Sequence, residues 1–169
     1  GAQKIQELII SSKVMDIPGW QAAITFLPAS DLVGDYCDIQ EINDETWLLA
    51  IGDVTGHGVS SALVGAMTKS IVSEQLSGGK IDLRELFTCL NELLYQQFKK
   101  RKCLSMLVLI IDKKTGNCKA INAGHPFPIK ISNGKTGFIQ AQCFPPLGFA
   151  EKIPEIPVID FSLEPGDIL

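Results

Sequence analysis

Apolar and polar positions change period several times along the chain, and each change marks an element. Residues 2–13 carry Ile5, Leu8 and Ile9 at the i, i+3, i+4 spacing of a helical face, which predicts the last turns of a helix entering from upstream. Pro18-Gly19 predicts a turn, Trp20 to Leu27 a strand, and residues 28–34 a loop. Two strand-like runs, Asp35–Ile42 and Thr46–Gly52, flank the turn residues Asn43-Asp44-Glu45. Cys37 and Ile39 on one arm share a parity with Trp47, Leu49 and Ile51 on the other, which predicts an antiparallel hairpin with one buried face. Beyond Asp53-Val54-Thr55-Gly56-His57-Gly58, a run of small residues predicts a helix from Ser60 to Leu76.

Ser77-Gly78-Gly79 ends that helix, and Asp82 caps the next, with Glu85 placed as in a capping box. Leu83, Leu86, Phe87, Leu90, Leu93, Leu94 and Phe98 form its apolar stripe. Lys99 to Lys102 read as its C-terminus, where cations meet the negative end of the macrodipole. The remainder reads as β. Strands are predicted at Cys103–Asp112, Cys118–Asn122, Pro128–Ser132, Lys135–Gln140 and Ile156–Phe161, with a hairpin turn at Asn133-Gly134. Ile168-Leu169 reads as the beginning of one more strand. Strands, a helix pair and more strands, without internal repeats, predict an α+β fold with helices packed on antiparallel sheet.

Composition narrows the function classes. Of 169 residues, 46% are apolar, enough for a core, so disorder is excluded. With 15 basic against 19 acidic residues the net charge is −4, which lacks the footprint of a nucleic-acid binder. Leu104 to Ile111, broken by Ser105, is too short to cross a bilayer. No signal-peptide pattern opens the chain, so a cytoplasmic location away from membranes is expected. Five cysteines, odd in number and without C-x-x-C spacing, read as reduced core thiols. None is followed by the arginine that a cysteine-phosphatase loop requires.

Candidate chemistry begins in the first hairpin. A turn centred on Asp44 pairs residues equidistant from it, so Asp35 faces Asp53 as Cys37 faces Ile51 and Ile39 faces Leu49. Like charges directly opposed on a ladder repel, and more so at the rim of a buried face. Either one carboxyl stays protonated or a divalent cation sits between them; solvated strand-end carboxylates are the plain alternative. Hard oxygen donors suit Mg²⁺ or Mn²⁺. Directly after Asp53, Gly56-His57-Gly58 forms a strand-to-helix turn of the kind that lets backbone N–H groups approach an anion, or that merely provides tight geometry. His57, beside the carboxylates in sequence, is the candidate for proton transfer. His125, in Asn122-Ala-Gly-His125-Pro126, reads as a structural histidine that could also touch substrate.

In order along the chain, Val33-Gly-Asp35-Tyr-Cys-Asp38, Ile51-Gly-Asp-Val-Thr-Gly-His-Gly58, Asn122-Ala-Gly-His-Pro126 and Pro146-Leu-Gly148 resemble the motifs of SpoIIE-type serine phosphatases of the metal-dependent type 2C (PPM) superfamily. The resemblance implies an α-β-β-α sandwich, with residues 1–13 as the end of a linker helix and 14–169 as the phosphatase domain. It also implies hydrolysis of phosphoserine or phosphothreonine on a bacterial signalling protein, such as an anti-sigma-factor antagonist, by attack of a metal-bound water at a two-metal centre holding manganese or magnesium. Asp35 and Asp53 match the metal-binding aspartates, the Val54 carbonyl is a further implied ligand, and His57 would protonate the leaving serine oxygen. The family pattern continues past Leu169 with closing strands and further metal-binding aspartates, so weak or absent turnover is expected of these 169 residues. An upstream sensor and a homodimer are further expectations. The alternative is a catalytically silent PPM-fold module that binds a partner without turning it over.

Overall fold

The computed structural model describes residues 13–17, 19–27, 34–140 and 143–169. Nine strands and two helices are described: β1 (Lys13–Ile17), β2 (Trp20–Ile24), β3 (Tyr36–Asn43), β4 (Thr46–Val54), α1 (Val59–Leu76), α2 (Leu83–Phe98), β5 (Leu104–Asp112), β6 (Asn117–Ala123), β7 (Ile129–Ser132), β8 (Lys135–Phe138) and β9 (Ile159–Ser162). Five of them form an antiparallel sheet in the order β3-β4-β5-β6-β9. The pairs β1-β2 and β7-β8 are separate two-stranded ribbons. The helix predicted at 2–13 and the loop up to Val33 lie outside the described residues, apart from Lys13, which opens β1.

The first hairpin has the predicted register, with Tyr36 opposite Gly52, Cys37 opposite Ile51 and Ile39 opposite Leu49. A bulge interrupts the ladder between Glu41 and Asn43, on the turn side, so pairing toward the open end is undisturbed. The prediction of a single buried face is corrected. Tyr36, Leu48, Ala50 and Val54, on the opposite parity from that predicted, are buried against both helices, whereas Ile51 is 44% exposed. On the predicted parity, Ile39 and Trp47 are buried, and Leu49 packs against a second apolar cluster of Leu107, Leu109, Ile111, Ala120, Ile159 and Leu163. Both faces of the sheet are therefore covered, and a strand covered on both faces carries little alternation.

Trp20 from the β1-β2 ribbon stacks edge-on against Trp47, with ring centroids 6.2 Å apart. Its indole N–H donates to the Lys113 carbonyl at 2.9 Å. On the other face α2 carries the apolar stripe read from the sequence, and its N-terminus is capped as predicted. The Asp82 carboxylate accepts from the Arg84 and Glu85 amides at 2.8 and 3.2 Å. Lys99 closes the helix in the left-handed region, at φ 45°.

Candidate active site

The site lies at the open end of the β3-β4 hairpin, where four chain segments converge. Gly34 is buried there, and a Cβ on it would meet the Val54 carbonyl oxygen at 2.8 Å and the Val54 Cβ at 2.9 Å, so the chain approaching Asp35 must present a residue without a side chain. The Val54 amide donates to the Gly34 carbonyl at 3.3 Å, tying the entry of β3 to the end of β4. Asp35 and Asp53 are both exposed, one just before β3 and the other in β4.

The two carboxylates sense each other. Burial, followed by the charge of Asp53, pushes the Asp35 carboxyl above its ordinary value, and the nearby His125 pulls it partway back. Among the described residues acting on Asp35, His125 in its protonated form opposes that repulsion. A pair of hard oxygen donors with uncompensated charge fits a divalent cation whose remaining positions are filled by water. Among the described residues there is no cluster of three or more His, Cys, Asp or Glu side chains around one point.

His125 reaches this corner through a long-range pairing. Strand β6 lies beside β5, with Met106 opposite Ala123, and β5 places Ser105 directly opposite Asp53. The Ser105 hydroxyl donates to the Asp53 carbonyl at 3.4 Å and lies 3.2 Å from His125 Nδ1. A Ser105 hydroxyl that donates to that carbonyl can only accept from His125, the arrangement of an Nδ1–H tautomer. The loop that carries His125 is clamped by fully buried Asn122. Its side-chain carbonyl accepts from the His125 amide at 2.8 Å and its amide donates to the His125 carbonyl at 2.8 Å. Desolvation lowers the His125 pKa, against the opposing pull of Asp53 and Asp35.

Two glycines make the surrounding loops possible. Gly124 adopts φ +66°, and Pro146 packs so closely that a Cβ would lie 2.7 Å from its Cδ. Gly148, at φ +82°, donates its amide to the Asn91 side chain of α2 at 2.9 Å. The Pro146-Leu147-Gly148 motif is thereby seated on the helix and, through Leu147, on Leu104 of β5.

Of the residues singled out from the sequence, the structure brings Asp35 and Asp53 together. Val54 is fully buried at the end of β4, and His57 stands exposed in the turn that follows. Ser105 was not legible in the sequence, because β4 and β5 are joined through two helices and no turn sets their register. A groove of about 1040 Å³ on the Trp47 face is lined by Trp20, Leu49, Ile111, Leu163 and Leu169 among others, and none of Asp35, Asp53, Ser105 or His125 borders it. The groove and the acidic hairpin rim are thus separate features of the surface.

A family profile described as Stage II sporulation protein E (SpoIIE) matches residues 43–169. The chain belongs to the SpoIIE family. Over 156 residues this SpoIIE-family domain is 26% identical to phosphoserine phosphatase RsbP of Bacillus subtilis, an alignment covering 90% of the chain and 38% of RsbP. It thus spans well under half the length of that relative. Its fold is that of the PP2C phosphatase domain of the cell fate determinant SpoIIE from Bacillus subtilis, with a TM-score of 0.68 at 20% identity over 80% of this chain and 40% of that one. RsbX in complex with magnesium superposes with a TM-score of 0.75 at 16% identity, covering 93% of this chain and 75% of RsbX. The SpoIIE-family domain is thus an α+β, PP2C-type domain, with helices against an antiparallel sheet.

Proposed function

We propose that this domain is a metal-dependent serine/threonine protein phosphatase acting on a phosphorylated signalling protein. The observation that carries the reading is the meeting of Asp35 and Asp53 at the open end of one hairpin, where desolvation and then the charge of Asp53 raise the Asp35 carboxyl. These carboxylates, with the Val54 carbonyl, would hold manganese or magnesium. A divalent cation bound there supplies Lewis acidity, neutralising phosphoryl charge and making water acidic enough to act as a nucleophile near neutral pH. The chain's own residues do the rest. His57, exposed in the turn after Asp53, is accessible to a protein-borne phosphoserine and serves as proton donor to the leaving serine oxygen. His125, half-buried and within hydrogen-bond reach of Ser105, borders the carboxylates, and in its protonated form its charge opposes theirs.

The test is phosphate release from a phosphoserine protein in the presence of Mn²⁺, comparing the native chain with Asp53→Asn. Release by the native chain that falls to background in the variant supports the reading. Release that persists in the variant contradicts it, and binding of the phosphoprotein without any release, by this chain and by one extended past Leu169, identifies a silent interaction module instead.

A further inference from the structure

The basic run at 99–102 does more than close a helix. Lys99 and Lys100 both adopt positive φ, 45° and 69°, and the chain that leaves them brings Lys102 beside the glycine turn between β4 and α1. There the Lys102 ammonium donates to the Thr55 carbonyl at 2.8 Å and to the Ser61 hydroxyl at 2.7 Å. Ser61, fully buried in the first turn of α1, lies 3.4 Å from the same Thr55 carbonyl. The neighbouring residue completes the junction: the Thr55 amide donates to the Cys103 carbonyl at 2.9 Å, and the Thr55 hydroxyl accepts from the Cys103 amide at 3.0 Å.

Beyond Thr55, the turn relies on the Gly58 carbonyl, which accepts from the Ser61 and Ala62 amides at 3.1 Å each. Gly56 and Gly58 both have positive φ, 82° and 83°, and α1 has no side-chain cap at Gly58 and no acidic residue in its first turn. Glycines in such a segment leave many backbone conformations open. A Cβ on Gly56 would come within 3.0 Å of the Lys102 nitrogen, so the ammonium occupies the space a side chain there would take. Hydrogen bonds from a charged donor to two fixed acceptors are strong and directional enough to select one conformation.

We infer that Lys102 is a positioning residue for the candidate active site, its ammonium clamping the Thr55 carbonyl to the first turn of α1 and so fixing the turn that follows Asp53 and Val54. It acts through that backbone, because its ammonium is engaged by the Thr55 carbonyl and the Ser61 hydroxyl. The effect on metal affinity rests on the reading of Asp53 and Val54 as metal-holding groups; the clamp itself does not.

Amide hydrogen exchange and Mn²⁺ titration on the native chain, Lys102→Met, Ser61→Ala and Lys102→Arg test the inference. In Lys102→Met, exchange of amides 55–62 should quicken by about tenfold or more, the loss expected when a hydrogen-bonded charge is removed, while amides 86–94 of α2 keep their native rates. Ser61→Ala should show a smaller effect at the same amides, and Lys102→Arg, which keeps charge and donors, should recover part of the protection. Mn²⁺ affinity should weaken in the same order. Native rates at 55–62 in both Lys102→Met and Ser61→Ala, or quickening spread equally over α2, would overturn the clamp. Should the native chain bind no Mn²⁺, the metal reading fails, while the exchange rates still decide for or against the clamp.

Discussion

Asp35 shows how a single carboxylate can work against the fold that presents it. Burial and the charge of Asp53 raise its pKa, so the ionised form is disfavoured in the folded chain relative to the unfolded one. A raised group contributes stability below its ordinary value of about 3.9, and loses that contribution as pH rises through the raised value. At neutral pH the ionised pair is therefore a cost. Asp35→Asn should raise the Tm of the metal-free protein at pH 7, by the small amount that corresponds to about 0.2 kcal/mol, the low end for charges interacting at an exposed site, because Asp35 is exposed. The same substitution should abolish any further rise on adding Mn²⁺. A lower Tm in the metal-free variant, measured by thermal denaturation, would contradict this account of the pair. The pairing was legible in the sequence because a short turn makes residue arithmetic possible. Lys102 was not, since a lysine just past a helix is already accounted for by the macrodipole, and nothing in the local pattern points to a contact across 47 residues of chain.

Elements far from the carboxylates are held by equally specific contacts. The β7-β8 ribbon turns at Asn133-Gly134, both with positive φ (51° and 73°), as the Asn-Gly pair predicts. Lys130 of that ribbon donates to the Ser162 carbonyl of β9 and to the Asp167 carboxylate, each at 2.7 Å. Asp167 also accepts from the Glu164 amide at 2.8 Å, and Ile168 forms a bridge with Ile131. The bond from Lys130, followed by those from Ser132 and the Glu164 amide, holds the Asp167 carboxyl down at about 2. A depressed carboxylate stabilises the fold above its unfolded value and loses that contribution as pH falls through the folded one. Asp167→Asn should therefore lower Tm at pH 7, with the gap to the native protein narrowing between about pH 4 and pH 2. A gap that stays constant across that window would show that charge is not what the clip uses. The ribbon was read correctly because its turn chemistry is local. The buried face of β3-β4 was not, because tertiary cover on both sides erases the alternation that marks a one-sided strand.

At the scale of the molecule, one antiparallel sheet carries helices on one face and the second apolar cluster on the other, and its hairpin rim presents the acidic pair. The α+β class, the helix pair and most strands could be read from periodicity and punctuation. The order β3-β4-β5-β6-β9, which brings Ser105 and His125 to Asp53, depends on pairings between segments distant in the chain. Membership of the SpoIIE family and the PP2C-type architecture agree with the ordered motifs, each of which occupies a structural niche: Gly34 against Val54, Gly124 under Pro146, Gly148 on Asn91. The central claim is that this rim exists to hold a doubly charged ion. Isothermal titration with Mn²⁺ of the native chain beside Asp35→Asn and Asp53→Asn tests it most directly. Saturable binding by the native chain should be lost in both variants; equal heats of binding in all three proteins would contradict a metal site at the rim.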